Sequence, residues 1–539
     1  MTLPAAPQPV RLSPQVTVRQ ATLDLLRALG MTTIFGNPGS TELPLFLNFP
    51  ADFRYVLGLQ ESVVVGMADG YAQATRNAAF VNLHSAVGVG HAMGAIFTAY
   101  KNRTPLVISA GQQARSILPF DPFLSSARPT ELPRPYVKWA IEPARGEDVP
   151  QAIARAYYLA MMPPCGPVLV SVPSDDWALP TEPVLPRRVS TALRPEPALI
   201  DDIAAALDAS TRPAFLVGAA IDRDGAWDQT VQLAERHNAR VFMAPMSGRC
   251  GFPNDHPLFA GYLPAMRERI VERLAGHDLI LAIGAPAFIY HVEGRGPHLP
   301  DGAALFQLID DPDMAAWTPS GSSVLCSIRL GLLDLMQRPA RASRPAPPAR
   351  KKAARAVPPL AGERLSVAYV LQTLDELREP NSVIVEEAPS ARPVMHECLP
   401  IYHSETFYTM CSGGLGFGLA AAVGVALAKP GEHVIGLIGD GSAMYAIQAL
   451  WNAVQMKLPI TFIILKNRRY AALQEFAPVF GFRAGDTLEG SDLPGLDFVA
   501  LAAGHGLSAQ RIEDAPALRL ALQQALRSSS PMLLEVEVS

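Results

Sequence analysis

The run VIGLI-Gly439-Asp440-Gly441-Ser442, followed after WNAVQMKLPITFIILK by Asn467, restricts what this chain can fold into more than any other segment. It reads as a strand, a tight glycine turn, a helix, a second strand and a polar turn. A helix of that length makes a single crossover, which sets the two strands side by side and parallel. Asp440 and Asn467 then stand at adjacent strand ends, and two hard oxygen ligands converge. Gly441 lets backbone amides approach an anion at the N-terminus of the following helix, so the pair reads as a magnesium or calcium ion clamping a diphosphate. An Asp-Gly turn or a capping Asn would account for either half alone. Their order and spacing together are what point to a metal.

The rest of the chain repeats the strand-helix theme. Two proline-punctuated stretches poor in large apolar residues, Leu179–Pro197 and Arg338–Pro359, divide it and read as exposed linkers, the second strongly basic. Between them lie β-rich runs alternating with amphipathic stretches: TTIFGNPG, AFVNLHS, PLVISAG and PVLVSVP first, PAFLVGAA, ARVFMAP and DLILAIGA next, and SVIVEEAP, HVIGLIGD, ITFIILKN and MLLEVEV last. That alternation implies parallel sheets covered on both faces. The expected organisation is α/β, with three doubly wound parallel-sheet domains over residues 1–185, 198–337 and 361–539 and a Pro/Ala/basic linker over 338–360. A length of 539 residues suits three domains of about 150 residues each.

Composition excludes several classes. Apolar residues make up 49 % and charged residues 18 %, enough for large cores, yet no apolar run reaches the roughly 20 residues that span a membrane. The first ten residues lack a charged then apolar leader pattern. Cys165, Cys250, Cys326, Cys398 and Cys411 are scattered without a CxxC, which argues against structural zinc or a disulfide framework and suits a reducing cytoplasm. A net charge of −5 without a basic stripe argues against nucleic acid as a partner.

Two glycine clusters, Gly88–Gly94 and Gly413–Gly418, imitate a dinucleotide fingerprint, but neither has its spacing with an acidic residue about 20 positions on. No nicotinamide cofactor is expected, and no flavin; close helix-to-strand packing explains the first cluster. In LGLQESVVVGMADGYAQAT, Glu61 sits where a short strand gives way to a helix, on the apolar side of the junction. A buried carboxylate is costly unless it has a donor or is protonated. An ordinary helix N-terminal Glu would need no further role.

Glu61, Asp440 and Asn467 together resemble the signature of thiamine diphosphate enzymes, whose pyrimidine-binding, middle and diphosphate-binding domains match the three segments. Further matches narrow the resemblance. Ser40 lies in FGNPGSTELP, His84 in NLHSA and His291 in AFIYH, with GQQ at 111–113, LPRPYVKW at 132–139 and SVPSDDW at 171–177. Together these look like the benzoylformate decarboxylase group of 2-oxo acid decarboxylases, from about Val18 to Val538. Singly, an N-cap serine, a core histidine and a surface histidine would explain the three.

The resemblance implies thiamine diphosphate with Mg2+ or Ca2+ held by Asp440, Asn467 and the backbone carbonyl of Arg469, in a turn that reads Asn-Arg-Arg. Gly439, Gly441 and Ser442 belong to the same diphosphate turn. Glu61 is implied to hydrogen-bond the pyrimidine ring, with a carbonyl near Gly413 opposite and Leu415 as the wedge that bends the cofactor. Ser40 is implied to hold the substrate carboxylate, His84 to protonate the developing alkoxide, and His291 to deliver the later proton. Phe123, Leu124, Ala472 and Phe476 map onto an aryl pocket. The implied reaction is non-oxidative decarboxylation of an aromatic, benzoylformate-like 2-oxo acid to aldehyde and carbon dioxide. A homodimer or homotetramer with sites at the subunit interface is implied as well. The alternatives are a carboligase or lyase of acetolactate-synthase or benzaldehyde-lyase type, and a binding protein that has lost its chemistry.

Overall fold

The computed structural model describes residues 15–340, 343–360, 363–483 and 485–539; the leader reading at Met1–Val10 concerns residues outside these. Three six-stranded sheets, parallel throughout, follow one another along the chain. The first holds β1 (Thr33–Gly36), β2 (Arg54–Leu57), β3 (Ala79–Leu83), β4 (Leu106–Gln112), β5 (Ala140–Ile141) and β6 (Val168–Pro173), in the order β2-β1-β3-β4-β6-β5. The second holds β7 (Pro213–Val217), β8 (Arg240–Met243), β9 (Phe259–Tyr262), β10 (Leu279–Ile283), β11 (Ala304–Ile309) and β12 (Ser322–Leu325), in the order β9-β8-β7-β10-β11-β12. The third holds β13 (Val383–Glu387), β14 (Phe407–Thr409), β15 (Val434–Gly439), β16 (Ile460–Lys466), β17 (Ser508–Ile512) and β18 (Met532–Glu537), in the order β14-β13-β15-β16-β18-β17. The first and third sheets thus share one winding.

Alternate residues of each strand feed different cores, as the pleat requires. Ile34 and Phe80 face one core of the first sheet, Phe35 and Val81 the other. That second core is continuous with Val385, Ile438 and Phe462 of the third sheet. Its centre is a helix pair, α1 (Glu61–Thr75) against α3 (Gly418–Ala428), with α2 (Ser85–Asn102) beside α1. Small residues let the backbones touch: a Cβ built on Gly70 would lie 2.3 Å from Ala421 O, and one on Gly424 only 1.9 Å from Met67 O. No side chain larger than hydrogen fits there. Burial pushes Asp69, on the same helix, up to about 6, and it accepts hydrogen bonds from Gln73, Asn102 and Thr104. Asn102 Oδ1 in turn accepts from Cys411 N at 2.9 Å, tying the first sheet's helices to the loop that precedes α3.

Three readings need correction. The crossover from β15 to β16 is not one helix but two short ones, α4 (Asp440–Ala443) and α5 (Ala449–Gln455). A four-residue helix carries almost no macrodipole, so any anion there would meet the local amides of one turn. Glycine-requiring close packing of the first glycine cluster is not found: a Cβ on Gly88 would make only ordinary contacts, 3.5 Å from His84 Cβ, and one on Gly90 or Gly94 meets nothing within 4 Å, because both lie on an open face of α2. The basic 338–360 stretch is not wholly solvated. Arg344 donates to the carbonyls of Leu207, Ser210 and His237, and Arg350 and Arg355 pair with Glu397 and Glu376, so the arginines pin it to the flanking sheets. The edge strand β17 reads SAQRI and carries little apolar signal; it is mostly exposed, since an edge strand needs only one covered face.

Candidate active site

In an open parallel sheet the crevice for a ligand opens beyond the carboxyl ends of the strands where the winding reverses. In the first sheet that point lies between β1 and β3, and the chain leaves them through Asn37–Ser40 and through His84. In the third it lies between β13 and β15, whose ends are Glu387 and Gly439, with Asp440 next. At the corresponding place in the middle sheet the segments leaving β7 and β10 touch: a Cβ on Gly218 would lie 2.6 Å from Ala285 Cβ.

At the first crevice Ser40 is exposed on the opening turn, just past Gly39. His84, the residue that caps α2, is held at Nδ1 by Glu42 Oε2 at 2.9 Å and by Thr41 Oγ1 at 3.0 Å. Glu42 is 1 % exposed and also accepts from Gly39 N at 2.7 Å and Thr41 Oγ1 at 2.7 Å. It has room because residue 111 is glycine; a Cβ there would sit 1.7 Å from Glu42 Oε1. A buried carboxylate on Nδ1 fixes the tautomer that leaves Nε2 free for proton transfer. Neither Thr41 nor Glu42 was among the sequence candidates. The available signal was an acidic residue in the turn Ser40-Thr-Glu-Leu-Pro, directly before apolar residues.

Glu61 opens α1 and is 8 % exposed. Its carboxylate meets His91 Nδ1 of α2 at 3.2 Å and Asn37 Nδ2 at 3.4 Å. Leu124 has a φ of +60° and its carbonyl accepts from Ser85 Oγ at 2.7 Å, while the neighbouring Phe123 is 86 % exposed.

At the third sheet's crevice, Asp440 accepts from Gly441 N at 2.8 Å and Arg468 N at 2.6 Å, and burial raises its carboxyl. Asn467 Oδ1 accepts from Arg469 N at 3.1 Å. Gly441 is required because the Tyr470 ring lies over it, 2.3 Å from where a Cβ would be. Ser442 is buried beneath. A carboxylate, an amide oxygen and backbone carbonyls form the hard-oxygen set that magnesium or calcium prefers. Among the described residues no three or more His, Cys, Asp or Glu side chains group so as to hold a metal ion by themselves.

Gly413 is exposed and Leu415 half-buried in the loop that feeds α3. Gly416 N and Gly418 N both donate to the carboxylate of Glu387, at 2.7 and 2.5 Å. Glu387 was likewise missed; its signal was the pair of glutamates closing the apolar run SVIV. The loop after β10 brings His291 against Phe476, ring centroids 4.4 Å apart and nearly perpendicular. Ala472 N donates to Ser390 Oγ at 3.0 Å at the start of the same short helix.

The candidates therefore fall into two groups. Ser40, Glu61, His84, Phe123 and Leu124 belong to the first sheet; Gly413, Leu415, Asp440, Asn467, Ala472 and Phe476 belong to the third, with His291 added from the middle. Among the described residues no hydrogen bond, ion pair or ring contact joins one group to the other within the chain.

Comparison with known proteins places this arrangement. Three family models match: the thiamine pyrophosphate (thiamine diphosphate) enzyme N-terminal TPP-binding domain over residues 16–127, the central domain over 200–318, and the C-terminal TPP-binding domain over 390–536. A benzoylformate decarboxylase of Pseudomonas aeruginosa is 43 % identical over 527 residues, covering 96 % of this chain and 98 % of the relative. The structure of a thiamine diphosphate-dependent 4-hydroxybenzoylformate decarboxylase of Rhodococcus jostii RHA1 superposes with a TM-score of 0.93 at 42 % identity, covering 97 % of this chain and 99 % of the other. A benzoylformate decarboxylase of Polynucleobacter necessarius gives a TM-score of 0.93 at 39 % identity, covering 97 % and 98 %.

Proposed function

This chain belongs to the thiamine pyrophosphate enzymes, and on that premise we propose that it decarboxylates an aromatic 2-oxo acid of the benzoylformate type to an aldehyde and carbon dioxide. Thiamine diphosphate, when bound, supplies the sink for the electron pair that the departing carboxylate leaves behind. The observation that carries the reading is the His84–Glu42–Thr41 cluster beside Ser40, at the switch point of a thiamine-enzyme sheet. Ser40, exposed on its turn, holds the substrate carboxylate. His84 delivers a proton from Nε2 to the substrate's keto oxygen while Glu42 steadies Nδ1. Glu61 would hydrogen-bond the pyrimidine ring of thiamine diphosphate, and Leu415 and the Gly413 carbonyl would support the other side of that ring. His291 brings the proton that completes the aldehyde, with its ring set by the edge of Phe476.

Asp440, Asn467 and the Arg469 carbonyl would hold a divalent ion, magnesium or calcium, with Gly439, Gly441 and Ser442 forming the turn that would receive the diphosphate. Phe123, Leu124, Ala472 and Phe476 line an aryl pocket whose halves come from different chains. The separation of the two residue groups within one chain supports a dimer or tetramer with sites between subunits. So does the open face of α2, where Val87, Gly90, His91 and Gly94 are exposed. The three sheets support domain limits of 1–185, 198–337 and 361–539, with 338–360 joining the last two. Five unpaired cysteines accord with a cytoplasmic location, and among the described residues no helix is long and apolar enough to cross a membrane.

The test is a panel of 2-oxo acids with aldehyde measured by coupled reduction. Benzoylformate should exceed pyruvate in kcat/KM by roughly 10-fold or more, since an apolar pocket favours phenyl over methyl by a few kcal/mol. Pyruvate preferred over benzoylformate would defeat the pocket assignment.

A further inference from the structure

Two glutamates close β13, and they are satisfied in opposite ways. Glu386 pairs with Arg392 at 2.9 Å and accepts from Thr409 Oγ1 and Ala388 N. Glu387 has no ion pair among the described residues; it is 1 % exposed, and its partners are two backbone amides, Gly416 N and Gly418 N. Those amides lie immediately beyond Leu415, and Gly418 opens the 11-residue helix α3. A carboxylate at that end of a helix is favoured by its dipole and by the unpaired first amides. The fit is close: a Cβ on Gly418 would sit 2.7 Å from Glu387 Cβ. Gly416 itself takes a φ of +107°, a conformation that Glu387 holds in place through its amide.

We propose that Glu387 is a positioning residue for the loop Gly413–Gly418, and that its ionised carboxylate locks the backbone just past Leu415 into the shape that receives the thiamine ring. This rests on the reading of that loop given under the proposed function. The chemistry is an acceptor count. An ionised carboxylate accepts from both amides at full strength, whereas a protonated one keeps a single good acceptor oxygen and adds a donor. Burial pushes Glu387 up to about 8, while the two amides pull it down. The charged groups around it are Glu386, which raises it further, and Arg392, which lowers it and is itself taken up by Glu386. The lock therefore tightens as pH rises through the neutral to mildly alkaline range.

The experiment compares the full-length wild type with Glu387→Gln and Glu387→Asp. Amide hydrogen exchange at Gly416 and Gly418 in the cofactor-free protein, corrected for intrinsic rate, reads the lock directly. Calorimetric titration with thiamine diphosphate and magnesium across about pH 6.5 to 9 reads its consequence. In the wild type, affinity should rise with pH and both amides should be protected. Glu387→Gln keeps one acceptor oxygen and presents its NH2 to the other backbone amide, so it should lose protection at one of the two glycines. It should also bind about 10-fold or more weakly, one hydrogen bond's worth, with a flat pH profile. Glu387→Asp keeps the charge on a shorter stem and should retain the pH dependence at intermediate affinity, which separates a positional role from general misfolding. A Glu387→Gln protein with wild-type protection, affinity and pH dependence would overturn the proposal. Failure of the wild type to bind thiamine diphosphate would overturn the functional reading instead, and the exchange data would still judge the lock.

Discussion

Replacing Glu42 by Gln isolates one element of the proposed proton-transfer machinery, because the amide has the same shape as the carboxylate it replaces. In the native site Glu42 Oε2 serves both His84 Nδ1 and Gly39 N, and Oε1 serves Thr41 Oγ1. With its oxygen on the Oε2 side, the glutamine keeps the first two bonds, and the Thr41 hydroxyl turns to accept from the new NH2. What is lost is the charge. A hydrogen bond to a charged group contributes about 1.5 to 3 kcal/mol against about 0.5 to 1.5 for a neutral one, so roughly 1 to 2 kcal/mol disappears whenever His84 carries its extra proton. At 1.36 kcal/mol per decade that is about a 5- to 30-fold fall in kcat. If the amide flips, its NH2 faces Nδ1, selects the other tautomer of His84, and the loss is larger. Since Glu42 is buried behind His84, KM should barely move. Steady-state carbon dioxide release from benzoylformate, with circular dichroism and a thermal scan to confirm the fold, measures both constants. A variant with full kcat, or with a raised KM at full kcat, would refute the claim that Glu42 works through His84.

Glu61→Gln should keep the fold and the cofactor yet lose about 100- to 10,000-fold in kcat, as expected when proton sharing is removed; a variant within a few-fold of wild type would make Glu61 structural. Exhaustive chelation followed by gel filtration should give inactive protein that regains activity only when thiamine diphosphate and a divalent ion are both returned, and full activity without metal would contradict the Asp440–Asn467 assignment. Gly424→Ala should lower the thermal unfolding temperature. A methyl group placed 1.9 Å from Met67 O forces α1 and α3 apart, at about 1 to 3 kcal/mol for overpacking, and an unchanged melting curve would show that the helices can part without loss.

What the sequence by itself determined was whatever depends on local pattern. The apolar runs became strands because burial on both faces of a parallel sheet demands continuous hydrophobic stretches, and Asp440 and Asn467 fell beside each other because β15 and β16 are sequential neighbours joined by one crossover. Glu61 was legible for the same reason, as a charge set at the start of an apolar helix. Tertiary structure alone decided what depends on which residues from distant segments share one space. Glu42 became the partner of His84 because β1 and β3 lie together in the sheet, 42 residues apart in sequence, and because Gly111 leaves the carboxylate room. Glu387 found the amides of Gly416 and Gly418 across 29 and 31 residues, and Arg344 bonds the carbonyls of Leu207 and Ser210, 137 and 134 residues away. A carboxylate's role is set by the donors that surround it, and periodicity carries no record of donors brought in from elsewhere in the chain.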